Sequence, residues 1–125
     1  MSLNRGLALI RAGKYFEAHE ELEDEWHGAP ESERDFLQGL VHVAVAWHHA
    51  GLANRPGCER QLDKAAMRLK QYRPHHRGVD VSTLLTDVRN AQWIVESGSL
   101  SLPKPRVVGP ALKTQVLDRA TRRSG

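Results

Sequence analysis

The chain holds a single cysteine, Cys58, in 125 residues, so no internal disulfide can staple it. A lone thiol fits a reducing compartment, and a cytoplasmic location is expected. Nothing beside Cys58 in sequence would activate it, so it reads as a buried or incidental thiol. No apolar run approaches the roughly 20 residues needed to cross a bilayer. Residues 1–11 lack the charged start, long apolar centre and small-residue cleavage site of a secretory signal. No membrane partner is therefore expected. Convincing strand alternation is missing as well, and so is any fixed-period repeat. What remains is a chain with 40% hydrophobic and 26% charged residues, enough for one helical domain with its own core.

The charge is unevenly placed. Residues 103–125 carry six Lys or Arg (Lys104, Arg106, Lys113, Arg119, Arg122, Arg123) against Asp118, a net +5. The rest, with 12 basic and 14 acidic residues, is at −2. A pI of 9.4 thus describes the C-terminal tail more than the body. Such a tail can touch nucleic-acid phosphates without sequence preference, though a solvated tail is the simpler reading.

Punctuation residues divide the body into helices. Residues 3–12 form a first helix, with Leu3, Leu7 and Ile10 apolar and Gly13 as its stop. A second, acidic helix runs from Lys14 or Tyr15 to about His27, antiparallel to the first because the turn is so short. Gly28-Ala29-Pro30 ends it. Ser32-Glu33-Arg34-Asp35 has capping-box spacing and opens a third helix to about Ala53. Phe36, Leu37, Leu40, Val41, Val43, Ala44 and Trp47 make that helix apolar around much of its circumference, the pattern of a central helix. Asn54-Arg55-Pro56-Gly57 reads as a turn. A fourth helix, 58–72, buries Leu62, Ala65, Ala66 and Leu69 and shows Arg60, Lys64, Arg68 and Lys70. Asp80 caps a fifth, 81–96, packed through Leu84, Leu85, Val88, Ala91 and Trp93. Gly98, Pro103, Pro105, Gly109 and Pro110 forbid regular structure thereafter, apart from a loosely held terminal helix over 111–123. The expected architecture is an all-α compact bundle of about five helices with the third central, over residues 1–98, plus an irregular basic C-terminal tail over 99–125.

The second helix carries the most informative pattern. At about 100° per residue, Ala12, Tyr15, Phe16, His19, Leu22, Glu23 and Trp26 share one face, with Glu17, Glu21 and Asp24 pointing away. His19 and Glu23 then lie within the stripe expected to pack inward. Two ionisable groups on an apolar face are costly unless they satisfy each other or bind something. As an internal pair they fix the helix's orientation, with Trp26 as core and its indole N–H given to a partner. As an active pair, a buried and unpartnered Glu23 has its pKa raised toward that of a general base. His19-Glu20-x-x-Glu23 is one residue away from the zinc-protease signature, with Glu23 in place of the second histidine, so His19 and Glu23 are the metal candidates for a divalent ion. On the third helix, Asp35, Gln38, His42 and His49 form a polar strip opposite Phe36, Leu40, Ala44 and Trp47. That strip is either a solvent face or the other wall of a pocket against the His19 helix. His48 stands nearer the apolar side, and His75-His76 read as an exposed loop.

Together, Gly13-x-Tyr15-x-Glu17-Ala18-His19-Glu20-x-Leu22-Glu23-x-x-Trp26, Phe36-Leu37-Gln38-Gly39-Leu40 and Asn54-x-x-Gly57 resemble the prokaryotic family called domain of unknown function 309, over roughly residues 4–95. The resemblance implies a compact all-helical domain with one helix surrounded by others. It places His19, Glu20, Glu23, Trp26, Gln38, Gly39, Asn54 and Gly57 in the family pattern, and leaves open whether His48 or His49 takes the family's histidine. It names no reaction, since the family has no established activity.

The expected site is a polar pocket between the second and third helices, formed by His19, Glu20, Glu23, Trp26, Gln38, His42, His48, His49 and Asn54. The reading favoured is binding of a small molecule or protein partner. The alternative is a metal- or acid/base-dependent hydrolase, with Glu20 or Glu23 as base or ligand, His19 as ligand or proton shuttle, and Gln38 orienting substrate. A homodimer is expected if Trp93 and Leu100 share an exposed patch.

Overall fold

A computed structural model describes residues 2–107 of the chain. Within them run α1 (Ser2–Arg11), α2 (Tyr15–His27), α3 (Glu31–Gly51), α4 (Arg55–Leu69, prolonged by a 3-10 turn over Lys70–Tyr72) and α5 (Val81–Glu96). The helix expected over 111–123 lies outside the described residues. Successive helices pack on one another, α1 on α2, α2 on α3, α3 on α4 and α4 on α5. α3 is central, as its composition requires. Phe36, Leu37, Leu40, Val43 and Ala44 are fully buried, between Leu22 of α2 and Leu62, Ala65 and Leu69 of α4 in one continuous core.

The helix ends follow local chemistry. Gly13 takes a φ of +77°, open to glycine at little cost, and lets α2 start four residues after α1 stops. Asn54 is the N-cap of α4, its Oδ1 accepting from the Gly57 amide at 3.1 Å, with Pro56 in the first turn. The segment read as a turn is therefore the first turn of a helix. Asp80 caps α5 by accepting from the Thr83 amide. The capping box at Ser32 does not form. α3 begins one residue earlier behind Pro30, whose extended backbone (ψ 155°) enters the helix without a side-chain cap. The carboxylates of Glu33 and Asp35 are instead taken by His76 and Arg68. α3 also stops at Gly51 rather than Ala53, because Ala53 turns left-handed at φ +58°.

Two further expectations fail for tertiary reasons. Trp93 is 67% exposed, on the outer side of α5 and not in the core. His76 belongs to no exposed loop. Its Nε2–H donates to Glu33 at 2.8 Å, and its ring lies 4.7 Å from those of Phe36 and Tyr72, clasping the α4–α5 connection to the start of α3.

Residues 99–107, expected to belong to an irregular tail, are irregular but lie against the helices. Trp47 Nε1–H donates to the Pro103 carbonyl at 3.0 Å, and Arg106 grips Asp87 of α5 through Nε and Nη2. Lys104 Nζ donates to the Arg11 carbonyl at the end of α1, and Pro105 and Val107 are buried. A cation at a helix C-terminus is also favoured by the helix dipole.

α3 and α4 approach closely at Gly39, where an added Cβ would lie 2.7 Å from Cγ and Cδ2 of the buried Leu69. Gly39→Val is expected to overpack this contact and lower the unfolding free energy by about 1–3 kcal/mol. Urea denaturation followed by circular dichroism measures it, and an unchanged midpoint would show that α4 can simply move away.

Candidate binding groove

α2 is amphipathic, but its buried arc is turned by roughly 60° from the expected one, at about 100° per residue. Ala18 and Leu22 are buried and Tyr15 and Trp26 partly so, whereas Phe16 is 50% exposed and Ala12 is exposed. His19 and Glu23 therefore sit at the border of the core. The His19 Nε2–H donates to Glu23 at 2.9 Å, with the side chains 27% and 45% exposed. Burial and lack of a partner, the two conditions for an activated Glu23, are both absent. Glu20 is exposed, and Glu21 pairs with Arg5 of α1.

Of the polar strip of α3, Gln38 turns toward the end of α2. Asp35, half exposed, and His42 and His49 bond to α4 and its cap, in a ladder with a constant seven-residue step. Asp35 accepts from Arg68 at 2.8 Å, His42 Nδ1–H donates to Gln61 Oε1 at 2.7 Å, and the Asn54 side-chain amide donates to His49 Nδ1 at 3.2 Å. Each step forward by seven on α3 meets a step back by seven on α4, as two antiparallel helices with a heptad contact require. His42, His49 and Asn54 thus lie across α3 from the His19 helix, and Asn54 serves chiefly as a cap. His48 does meet α2, its ring 5.4 Å from Phe16.

Trp26 and Gln38 do come together. They line an open groove of about 710 Å³ between the last turn of α2 and the first turns of α3, with Ala29, Glu31, Arg34 and Asp35. The short connection at 28–30 places those turns opposite each other. The Arg34 Cζ lies 5.7 Å from the centre of the Trp26 ring, within cation–π reach. The Trp26 indole N–H, expected to be donated to a partner, is buried without an acceptor among the described residues. An unmet buried donor costs about 1–3 kcal/mol. Asp35 is already bonded by Arg68 and Gln71, which leaves Arg34, Glu31, Gln38 and the indole as the groove's chemistry. Arg34, Glu31, Arg68 and Gln61 escaped the sequence reading, although equal distances from the turn before α4 mark the last two as partners for α3.

Among the described residues, no three His, Cys, Asp or Glu side chains are placed to hold a metal ion. Burial, helped by Glu59, pushes the Cys58 thiol up to about 11, so it resists becoming a thiolate. No helix among the described residues is long and apolar enough to cross a membrane.

Helices stacked in chain order, a polar ladder on one flank of the central helix and a groove on the other define a small all-helical domain. Residues 3–61 match the family described as Domain of unknown function (DUF309), which bears out the resemblance carried by the His19–Trp26 and Phe36–Leu40 patterns. The match ends inside α4, short of the span to Val95 that the pattern suggested. No curated protein matches the chain.

Burial first, then the charges of Arg68 and Lys64, hold the His42 imidazole below its ordinary value of 6.5, while the bond to Gln61 opposes them. Its folded value is therefore the lower one. The unfolded chain takes up a proton that the folded chain refuses, so this contribution to stability is complete above about pH 6.5 and lost as pH falls below it. His42→Gln is expected to flatten the fall in unfolding free energy below pH 6.5, by at most about 1.4 kcal/mol per pH unit. Urea titrations from pH 7.5 to 5 check this; identical slopes would assign the acid sensitivity to other groups.

Proposed function

We propose that the chain is a cytoplasmic helical binding module whose ligand seats in the groove between the end of α2 and the start of α3. The observation that carries this reading is the Trp26 indole N–H, buried without an acceptor among the described residues, on a side chain that lines the groove. A ligand carboxylate or carbonyl would satisfy it. Arg34, exposed and resting over the ring, would add its guanidinium to the same acceptor. The Glu31 carboxylate and the Gln38 amide offer a complementary end for a donor. A small dipolar ligand with one acceptor group and one donor group, such as an amino acid or a peptide terminus, fits this arrangement. The groove volume lies in the usual range for small-molecule sites. The buried, weakly acidic Cys58 is in keeping with a reducing compartment. The hydrolase reading built on His19, Glu20 and Glu23 has less to support it, because the imidazole and carboxylate satisfy each other and Glu20 points to solvent.

Nuclear magnetic resonance titration of the full chain with amino acids and short peptides tests the proposal. Binding is expected to move the Trp26 indole N–H resonance. Trp26→Phe and Arg34→Ala are expected to weaken it about tenfold each, the worth of one hydrogen bond of about 1.4 kcal/mol. Ligands that bind both variants as tightly as the original chain would place the site elsewhere.

A further inference from the structure

The opposite end of the α2–α3 pair has different chemistry. An open cleft of about 540 Å³, whose lining includes Lys14, Phe16, Glu17, Trp47, His48 and Leu52, lies between the start of α2 and the end of α3. Phe16 is 50% and Leu52 63% exposed, so two large apolar side chains face solvent side by side. Beside them the outward arc of α2 continues as Glu17, Glu20 and Asp24, all exposed. An apolar anchor flanked by acid suits a basic segment with apolar residues at helical spacing.

The chain contains such a segment. Residues 108–125 hold Lys113, Arg119, Arg122 and Arg123 against Asp118, with Leu112, Val116 and Ala120 four apart. That spacing would set the three on one side of a helix. The described chain leads to the cleft's edge. Arg11 Nη1–H donates to the Val107 carbonyl at 3.4 Å, and Lys104 Cε lies 3.7 Å from where a Cβ on Gly13 would stand. Gly13 itself lines the cleft. The length also fits, since α2 has 13 residues and twelve or so residues of helix extend about 18 Å.

We propose that residues 108–125 bind this cleft within the same molecule, with Leu112 and Val116 against Phe16 and Leu52 and the basic side chains along Glu17, Glu20 and Asp24. Magnetic resonance spectra of the full chain, compared with a Leu112→Asp/Val116→Asp variant, provide the test. Resonance changes are expected at Phe16, Glu17, His48 and Leu52, with those of Leu40 and Val43 in the core unmoved. Reciprocally, Phe16→Ser is expected to shift residues 112–120, and 0.5 M salt to produce part of the same change by screening. A tail variant that leaves the cleft's resonances in place overturns the proposal. So do changes that disappear on dilution, which would assign the cleft to the tail of a second copy.

Discussion

The flank of α3 that meets α4 carries polar side chains, and each finds its partner at a fixed level of α4 or its cap. His42 is buried, and a buried polar group without a hydrogen bond is expensive. Its bond to Gln61 therefore favours one alignment of the neighbouring helix, which the part-exposed Asp35–Arg68 and His49–Asn54 contacts share. Sliding α4 by a single residue would break all three contacts together. Apolar packing alone would be more forgiving, because cores accept rearranged side chains if volume is kept. The ladder therefore sets register, and the close approach at Gly39 sets distance. Asn54 ties the two together, since one side chain both caps α4 and donates to His49.

The helices and their order were legible because each boundary carries its own chemistry: Gly13 at a positive φ, Asn54 and Asp80 as caps, and an apolar α3. The facing of α2 was less so. Phe16 draws the calculated apolar arc toward itself, yet the contact made is through Ala18, whose small side chain lets the neighbouring helices come near. A periodicity weighted by side-chain size looks past such a residue. The failed capping box has a similar cause. Ser32, Glu33 and Asp35 have the right spacing, but tertiary partners claimed the carboxylates, and a local motif cannot reveal a competitor 33 or 43 residues away. The polar strip on α3 was visible as a strip. Its direction was hidden because α3 is apolar around so much of its surface that no single side declares itself as the inner one.

The pair α2–α3 offers two unlike surfaces at its two ends. Near the connection, Trp26, Arg34 and Gln38 make a groove with unmet donor capacity. At the far end, Phe16 and Leu52 make an apolar cleft with acid beside it. The His19–Glu23 hydrogen bond lies between them on the border of the core. Both groups belong to α2, so the bond satisfies the pair within one helix, while burial of Ala18 and Leu22 sets the rotation that decides which residues each end displays.

The match to the family stops at residue 61, but the physics of the matched segment does not. Asp35 is bonded by Arg68 and Gln71, Glu33 by His76, and the Trp47 indole by the Pro103 carbonyl. Each of these partners comes after residue 61. Residues 3–61 alone would leave the Trp47 N–H, in a side chain 5% exposed, without its acceptor, and one side of α3 without Ala65 and Leu69. The remainder of α4, the His76 clasp and the segment 99–107 therefore complete the domain. A central helix needs neighbours all round, and α1, α2 and the first half of α4 supply only part of that enclosure.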